Sequence, residues 1–421
     1  MIAPDKFKGS LTATEVAEAL AAGLRRLDPL ARLHAIPVAD GGDGTVDAAV
    51  SAGFERRTVT VRGPLGAPTE ADFAVSNHTA VLELAEASGL RRLPPGVFDP
   101  LHSSTYGTGQ QIAAALDAGA RTLILGVGGS ASTDGGAGML AALGARFLDG
   151  AGAPLDPCGA ALAELASVDL DGLDARLAQT EVILATDVDN PLLGTFGAAA
   201  VYGPQKGAAP DDVLALETGL GRLVDVLTGQ LGEHAVAAAA QPGAGAAGGV
   251  GYGAIVGLGA SVRPGIELML ELLGVEPAVR EARLVITGEG SLDEQSLHGK
   301  APVGVARLAA LHGVPVVAVC GRLGLTPDQL RRAGIREAFA LTELEPDPAR
   351  SMARAAELLE GLAGRLLEAA ATPEIAAAAT LDAASEASAG VASDTAVDPG
   401  SQVAPARQAA ETADAADAAE S

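Results

Sequence analysis

Arg283-Leu284-Val285-Ile286-Thr287-Gly288-Glu289-Gly290 sets a short apolar run against a glycine-rich turn, and the chain repeats that arrangement after it. Val316 to Val319 and Glu337 to Leu341 read as two further strands, with Ala/Leu-rich helical stretches between them. Strands that alternate with helices indicate α/β architecture and a parallel sheet. Right-handed crossovers make this stretch a Rossmann-like or flavodoxin-like layer.

Upstream the same grammar recurs. Thr12 to Leu27 predicts a helix and His34 to Val38 a strand. The turn Ala39-Asp40-Gly41-Gly42-Asp43-Gly44-Thr45 then opens another helix. Arg57 to Val61 and Ala80 to Leu84 alternate as strands do, and Thr122 to Leu125 runs into Gly126-Val127-Gly128-Gly129-Ser130 and a helix ending near Gly144. Val182 to Ala185 leads into Thr186-Asp187-Val188-Asp189-Asn190-Pro191. After about Ala371 large apolar residues almost vanish and Arg407 is the only basic residue, so residues 372–421 are expected to be a disordered acidic tail.

At 421 residues the chain is long enough for two domains. A net charge of -25 and 2% aromatic residues argue against nucleic acid or anionic membrane as partners. The uncharged stretch from Ala235 to Val262 is too weakly apolar for a spanning helix, and Asp5, Lys6 and Lys8 interrupt any leader. Cys158 and Cys320 have no metal or redox spacing, and Cys320 closes an apolar run as a core residue would. The expectation is a soluble, cytoplasmic protein, monomeric or a homodimer.

Only four lysines occur, Lys6, Lys8, Lys206 and Lys300, and each lies in a glycine-rich motif. Lysine is a compact point charge suited to phosphate, where arginine is a planar fork. Lys300 precedes Pro302 and so belongs at a helix N-terminus, where free amides favour anions. Two lures fail on inspection. Gly126-x-Gly128-x-x-Ala131, with Asp149 about 20 residues on, resembles a dinucleotide fingerprint, but its loop is too long and polar for the tight turn. Gly299-Lys300 is not a P-loop, because Glu294 stands where the first glycine belongs and Ala301 where Ser or Thr should follow.

Carboxylates cluster at the presumed carboxyl ends of strands: Asp40 and Asp43, Asp134, Asp187 and Asp189, Glu289 and Asp293. Open α/β sheets bind ligands there. Phosphoryl transfer to an alcohol needs carboxylates for Mg²⁺, cations on the phosphates and a carboxylate to accept the hydroxyl proton, and the inventory meets that list. Each acid alone is explained equally well as a turn or N-cap residue. Ser104, in Ser103-Ser104-Thr105-Tyr106-Gly107-Thr108-Gly109 before a helix to Ala118, and Arg263 are candidates for a substrate carboxylate.

In order along the chain, these motifs resemble the bacterial glycerate kinase family. The matching stretches include Ala3-Pro4-Asp5-Lys6-Phe7-Lys8-Gly9-Ser10-Leu11, Pro37-Val38-Ala39-Asp40-Gly41-Gly42-Asp43-Gly44-Thr45 and Glu86-Ala87-Ser88-Gly89-Leu90. Asp134-Gly135-Gly136-Ala137-Gly138, Gly203-Pro204-Gln205-Lys206-Gly207-Ala208 and Gln295-Ser296-Leu297-His298-Gly299-Lys300 continue the set. The resemblance covers roughly residues 1 to 370. The family's first strand is usually longer, and its residue at position 6 is more often serine, so Lys8 rather than Lys6 is the expected functional lysine.

The resemblance implies a Rossmann/flavodoxin-like domain, residues 1–56 plus 282–371, interrupted by a larger α/β domain, residues 57–281, with the active site in the cleft. It implies ATP- and Mg²⁺-dependent phosphorylation of D-glycerate at the 2-hydroxyl; the 3-hydroxyl, or a non-catalytic sugar-acid sensor on the same fold, are the alternatives. Chemistry assigns the roles. Asp187, Asp293 and Lys300 are the catalytic candidates, with Asp187 and Asp189 on the metal. Lys8, Ser10, Asp40, Asp43, Ser104, Gly128, Gly129, Ser130, Asp134, Lys206, Arg263 and Glu289 are expected around substrate and phosphates. Lys206→Arg is expected to cost activity beyond any effect on folding.

Overall fold

A computed structural model describes residues 1–371, which belong to one compact unit, Met1–Glu374. The predicted tail, residues 372–421, lies outside the described residues. In chain order the strands are β1 (Ile2–Pro4), β2 (Glu55–Arg62), β3 (Pro68–Ser76), β4 (Thr79–Glu83), β5 (Thr122–Gly126) and β6 (Arg146–Leu148). They continue with β7 (Ser167–Asp169), β8 (Glu181–Ala185), β9 (Ser261–Arg263), β10 (Val285–Leu292), β11 (Val316–Leu323) and β12 (Glu337–Ala340).

One sheet is wholly parallel, in the order β1-β10-β11-β12. On the outer side of β1 the segment 34–38 pairs alongside it: Ile2 N donates to the His34 carbonyl at 2.7 Å, Ile36 N to that of Ile2 at 2.9 Å, and Val38 N to that of Pro4 at 2.9 Å. With that segment counted, the chain order across the sheet is 2-1-3-4-5, the flavodoxin-like order. The direction of winding reverses between β1 and β10, and crevices open at the carboxyl ends of strands flanking such a switch point.

This sheet is buried on both faces, which explains its near-continuous apolar strands. Along β11 the side chains alternate. Val316, Ala318 and Cys320 pack with Val305, Ala306 and Ala309 of helix Ala301–Leu311, and Val317 and Val319 pack with Leu20, Leu359 and Leu362 of helices on the other face. Helix Ala13–Leu27 starts with a capping box in which Thr12 and Glu15 each satisfy the other's backbone amide, worth about 1 kcal/mol.

The second sheet, β2-β3-β4-β5-β8-β9, is antiparallel from β2 to β4 and parallel from β4 to β9. β6 and β7 form a small antiparallel pair. Strand β3 is absent from the sequence reading; it opens at Pro68, the first strand position, where proline is tolerated. The segment 34–38 makes a bridge rather than a full strand, and the helix after Ser130 begins only at Ala137, since polar loop fills the interval. β10 runs five residues past the expected Thr287, because Glu289, Ser291 and Leu292 keep register with Cys320, Arg322 and Leu323. Glu289 is therefore a strand residue, and the ladder sets the face of the sheet on which it lies. Among the described residues, no helix is long and apolar enough to cross a membrane.

Candidate active site

The switch point gathers the acids. β1 delivers Asp5 and Lys6, the segment beside it delivers Asp40 to Asp43, and β10 carries Glu289. A cavity of about 500 Å³ is lined by these residues together with Lys8, Ser10, Gly128, Gly129, Lys300 and Arg322. Gly128 has to be glycine, because a Cβ there would come within 2.8 Å of the Gly42 Cα. The two glycine-rich loops thus touch, which brings the β5 loop of the second sheet to the edge of the first.

Asp5 is buried, with Lys6 N donating to Oδ1 at 2.7 Å and Lys6 Nζ at 3.6 Å from the same oxygen. Burial pushes its carboxyl up to about 7; the Lys6 amine opposes that rise, and Asp40 and Glu289 add to it. For Lys6 itself burial works against the charge, but Asp5, Asp40, Asp43 and Glu83 outweigh it and hold the amine above its ordinary value. Its Nζ donates to the Asp43 carbonyl.

Asp187, after β8, accepts from Gly265 N at 2.9 Å, and burial followed by the nearby Asp40 pushes it up to about 7. The Gly299 turn passes beside it, with a Cβ position 3.7 Å from Oδ1, and presents Lys300 as N-cap residue of helix Ala301–Leu311. Lys300 Nζ lies 3.5 Å from Oε2 of Glu289, which burial raises and Ser296 and Lys300 restrain. Asp40 is felt by Asp5, Lys6, Asp187 and Glu289 alike, which makes it the hub of the cluster.

Beside this hub the Arg91 guanidinium contacts Asp43 and Glu86 and stands 3.6 Å from Glu83 Oε2. Glu83 is buried, accepts from Val46 N at 2.7 Å, and is pushed up to about 7 by burial. Asp5, Lys6, Glu83, Arg91 and Arg322 are the site residues that the sequence reading missed. A carboxylate ending the apolar run Ala80-Val81-Leu82 was a signal for Glu83; nothing in the chain pointed to Arg322.

Several expected residues are not part of this cavity's lining, among them Asp187, which lies half-buried beside Asp40. Lys206 is buried in the second sheet's core, where Nζ donates to the Ser132 carbonyl and a Cβ on Gly248 would lie 2.9 Å away. Asp134 is fully buried and accepts from Thr105 N (2.8 Å), Thr105 Oγ1 (2.7 Å), Gly136 N and Gly138 N (both 3.2 Å), so it ties loop to helix. Ser104 is buried with its Oγ donating to the Pro157 carbonyl at 2.7 Å. Arg263 pairs with Glu271 at 2.7 Å. Asp293 caps residues 294–298, accepting from Gln295 N and Ser291 Oγ at 3.0 Å each. Asp189 is exposed, and Ser130 bridges to Gly89 away from the cavity lining.

The Lys206 expectation changes accordingly. Lys206→Arg overpacks a closed site and should destabilise by about 1–3 kcal/mol, with activity following the folded fraction. Burial holds the folded-state value of this amine at about 7, below its ordinary 10.5. The folded protein therefore binds fewer protons between those two values, and stability rises with pH there. Thermal melts of Lys206→Met should lose that slope.

Residues 1–371 match the Glycerate kinase family. A glycerate kinase of Halalkalibacterium halodurans is 45% identical over 366 residues, 86% of this chain and 96% of its own length. The glycerate 2-kinase of Escherichia coli K12 is 42% identical over 345 residues, 81% of this chain and 90% of its own. A crystal structure described as glycerate kinase 2 from Salmonella typhimurium LT2 superposes with a TM-score of 0.74 at 40% identity, covering 87% of this chain and 98% of that one. With these relatives spanning both sheets and the acidic switch point between them, the chain belongs to the glycerate kinase family and is a kinase.

Proposed function

We propose that the protein transfers the γ-phosphoryl group of ATP, with Mg²⁺, to the 2-hydroxyl of D-glycerate, giving 2-phosphoglycerate and ADP. The observation that carries this reading is the convergence of Asp5, Asp40, Asp187 and Glu289 with Lys6 and Lys300 at the switch-point edge. The printed name of the Escherichia coli relative, a glycerate 2-kinase, supports the choice of hydroxyl.

Asp187 is the general base. Its value of about 7 lets it accept a hydroxyl proton at neutral pH without being protonated beforehand to a disabling degree. Lys300 and Lys6 hold the transferred phosphoryl group and the substrate carboxylate, and the backbone around Gly128-Gly129 approaches phosphate closely. Among the described residues, no three Asp, Glu, His or Cys side chains group as an all-protein metal cage. Mg²⁺ is usually held by one or two carboxylates and phosphate oxygens, and Asp40 within the acid cluster suits that demand. Asp40 would hold it; Asp189 is exposed and outside the cavity lining. When bound, the ion neutralises charge on the phosphate oxygens.

The same reading treats residues 57–281, with the six-stranded sheet, as a domain inserted into 1–56 plus 282–371. The distribution of strands between the two sheets supports it. Incubation with ATP, Mg²⁺ and D-glycerate should release ADP, and EDTA should stop it. ADP release that ignores glycerate, or persists fully in EDTA, contradicts the proposal.

A further inference from the structure

Across the four-stranded sheet the cavity changes character. Asp5 follows β1, Glu289 lies in β10, Arg322 in β11, and Leu341 follows β12. Three inter-strand spacings, about 14 Å, separate the two ends. The β1 end is acidic. The β12 end is uncharged and mainly apolar: Leu341, Pro348, Met352 and Ala355 line the same cavity there, with Thr342 and Ser351 among them. Met352 is large, apolar and half exposed there, and Ser10 Oγ donates to its carbonyl at 2.8 Å.

Between these ends stand two cations, Lys8 and Arg322. Both are exposed and line the cavity, and neither has an acid or hydrogen-bond partner among the described residues. By contrast, Lys300, Lys6 and Arg91 each face a carboxylate. Of the four cations that line the cavity, Lys6 and Lys300 face carboxylates, so Lys8 and Arg322 are the two whose charge is open to an outside anion.

We infer that a purine nucleoside triphosphate lies across this sheet edge, with its base on the Leu341, Pro348, Met352 and Ala355 wall and its phosphates over Arg322 and Lys8. The terminal phosphate then points toward Asp5 and Lys300. The inference rests on the kinase reading and adds to it the place and direction of the donor. The reverse orientation sets a base among carboxylates and phosphates against an apolar wall, which forfeits desolvation at both ends. A thioether beside an aromatic ring is favourable in its own right. Lys8 and Arg322 need not break an existing ion pair to engage phosphate, so their full charge is available.

Calorimetric titration of the full chain with the non-hydrolysable β,γ-imido analogue of ATP, and separately with tripolyphosphate, tests this. Arg322→Ala should weaken both ligands by about tenfold or more, the loss of one charge-assisted contact. Met352→Glu should weaken the nucleotide by a similar factor and leave tripolyphosphate unchanged. Both side chains are exposed, so melting temperatures close to wild type are expected for both variants. If both variants bind the analogue as the wild type does, the donor lies elsewhere and the inference falls while the kinase reading stands. If the wild type itself does not bind the analogue, the kinase reading fails and takes the inference with it.

Discussion

Asp187→Asn is expected to lower kcat by about 10²–10⁴-fold, the range for loss of a general base, while the protein folds at least as well as the wild type. The amide oxygen can still accept from Gly265 N, which the carboxylate meets at 2.9 Å. What disappears is a charge that the fold disfavours. The folded-state value of about 7 stands above the 3.8 of the free group, so the folded protein holds the extra proton between those values. Stability contributed by this site therefore falls as pH rises from about 4 to 7 and is flat above. Asn removes that decline and should stabilise the protein at pH 8 by on the order of 1–3 kcal/mol. Asp5 and Glu83 share the same sign, so the wild type should melt higher at pH 5 than their shifts allow at pH 8. The wild-type kcat should rise through pH 7 as Asp187 ionises. Rates and melts measured together decide: an Asn variant with wild-type kcat removes Asp187 from the chemistry.

Lys300→Met should cost about 10²–10³-fold in kcat, as expected for removing one preorganised charge at the reacting phosphate. It also leaves Glu289 buried without its nearest cation, 3.5 Å away in the wild type, so some stability is lost as well. Lys300→Arg separates the two effects. A guanidinium restores the charge beside Glu289 but not the compact ammonium, so stability should recover and kcat should stay low. Single-turnover rates and thermal melts on both variants check this; full activity in Lys300→Arg would show that the position supplies charge without shape.

The parallel sheet was legible because its strands are buried on both faces and read as unbroken apolar runs such as Val316 to Val319. Asp40, Asp187, Glu289 and Lys300 were legible as a group because strand ends and glycine turns carry ligands in such sheets. The burial of Lys206 and Asp134 away from the cavity was not legible for one physical reason. A charged residue in a glycine-rich motif serves equally well to tie a loop from inside, and only burial distinguishes the two uses. Lys206 donates inward to Ser132, whereas Lys8, paired with no carboxylate among the described residues, faces the cavity. Lys6 was discounted on resemblance, yet Asp5, Asp40, Asp43 and Glu83 come from three separate segments and converge on its amine only in the fold. Arg322 became visible only when β11 proved to extend to Leu323 and to keep register with Ser291.

The most direct test of the central claim reads the product. D-glycerate, ATP and Mg²⁺ are incubated with the protein, and enolase is added alone, then with phosphoglycerate mutase. Phosphoenolpyruvate formed with enolase alone is the result predicted, since enolase consumes 2-phosphoglycerate. Phosphoenolpyruvate formed only after the mutase is added would mean the 3-isomer and contradict the proposed hydroxyl, and none under either condition would contradict glycerate phosphorylation itself.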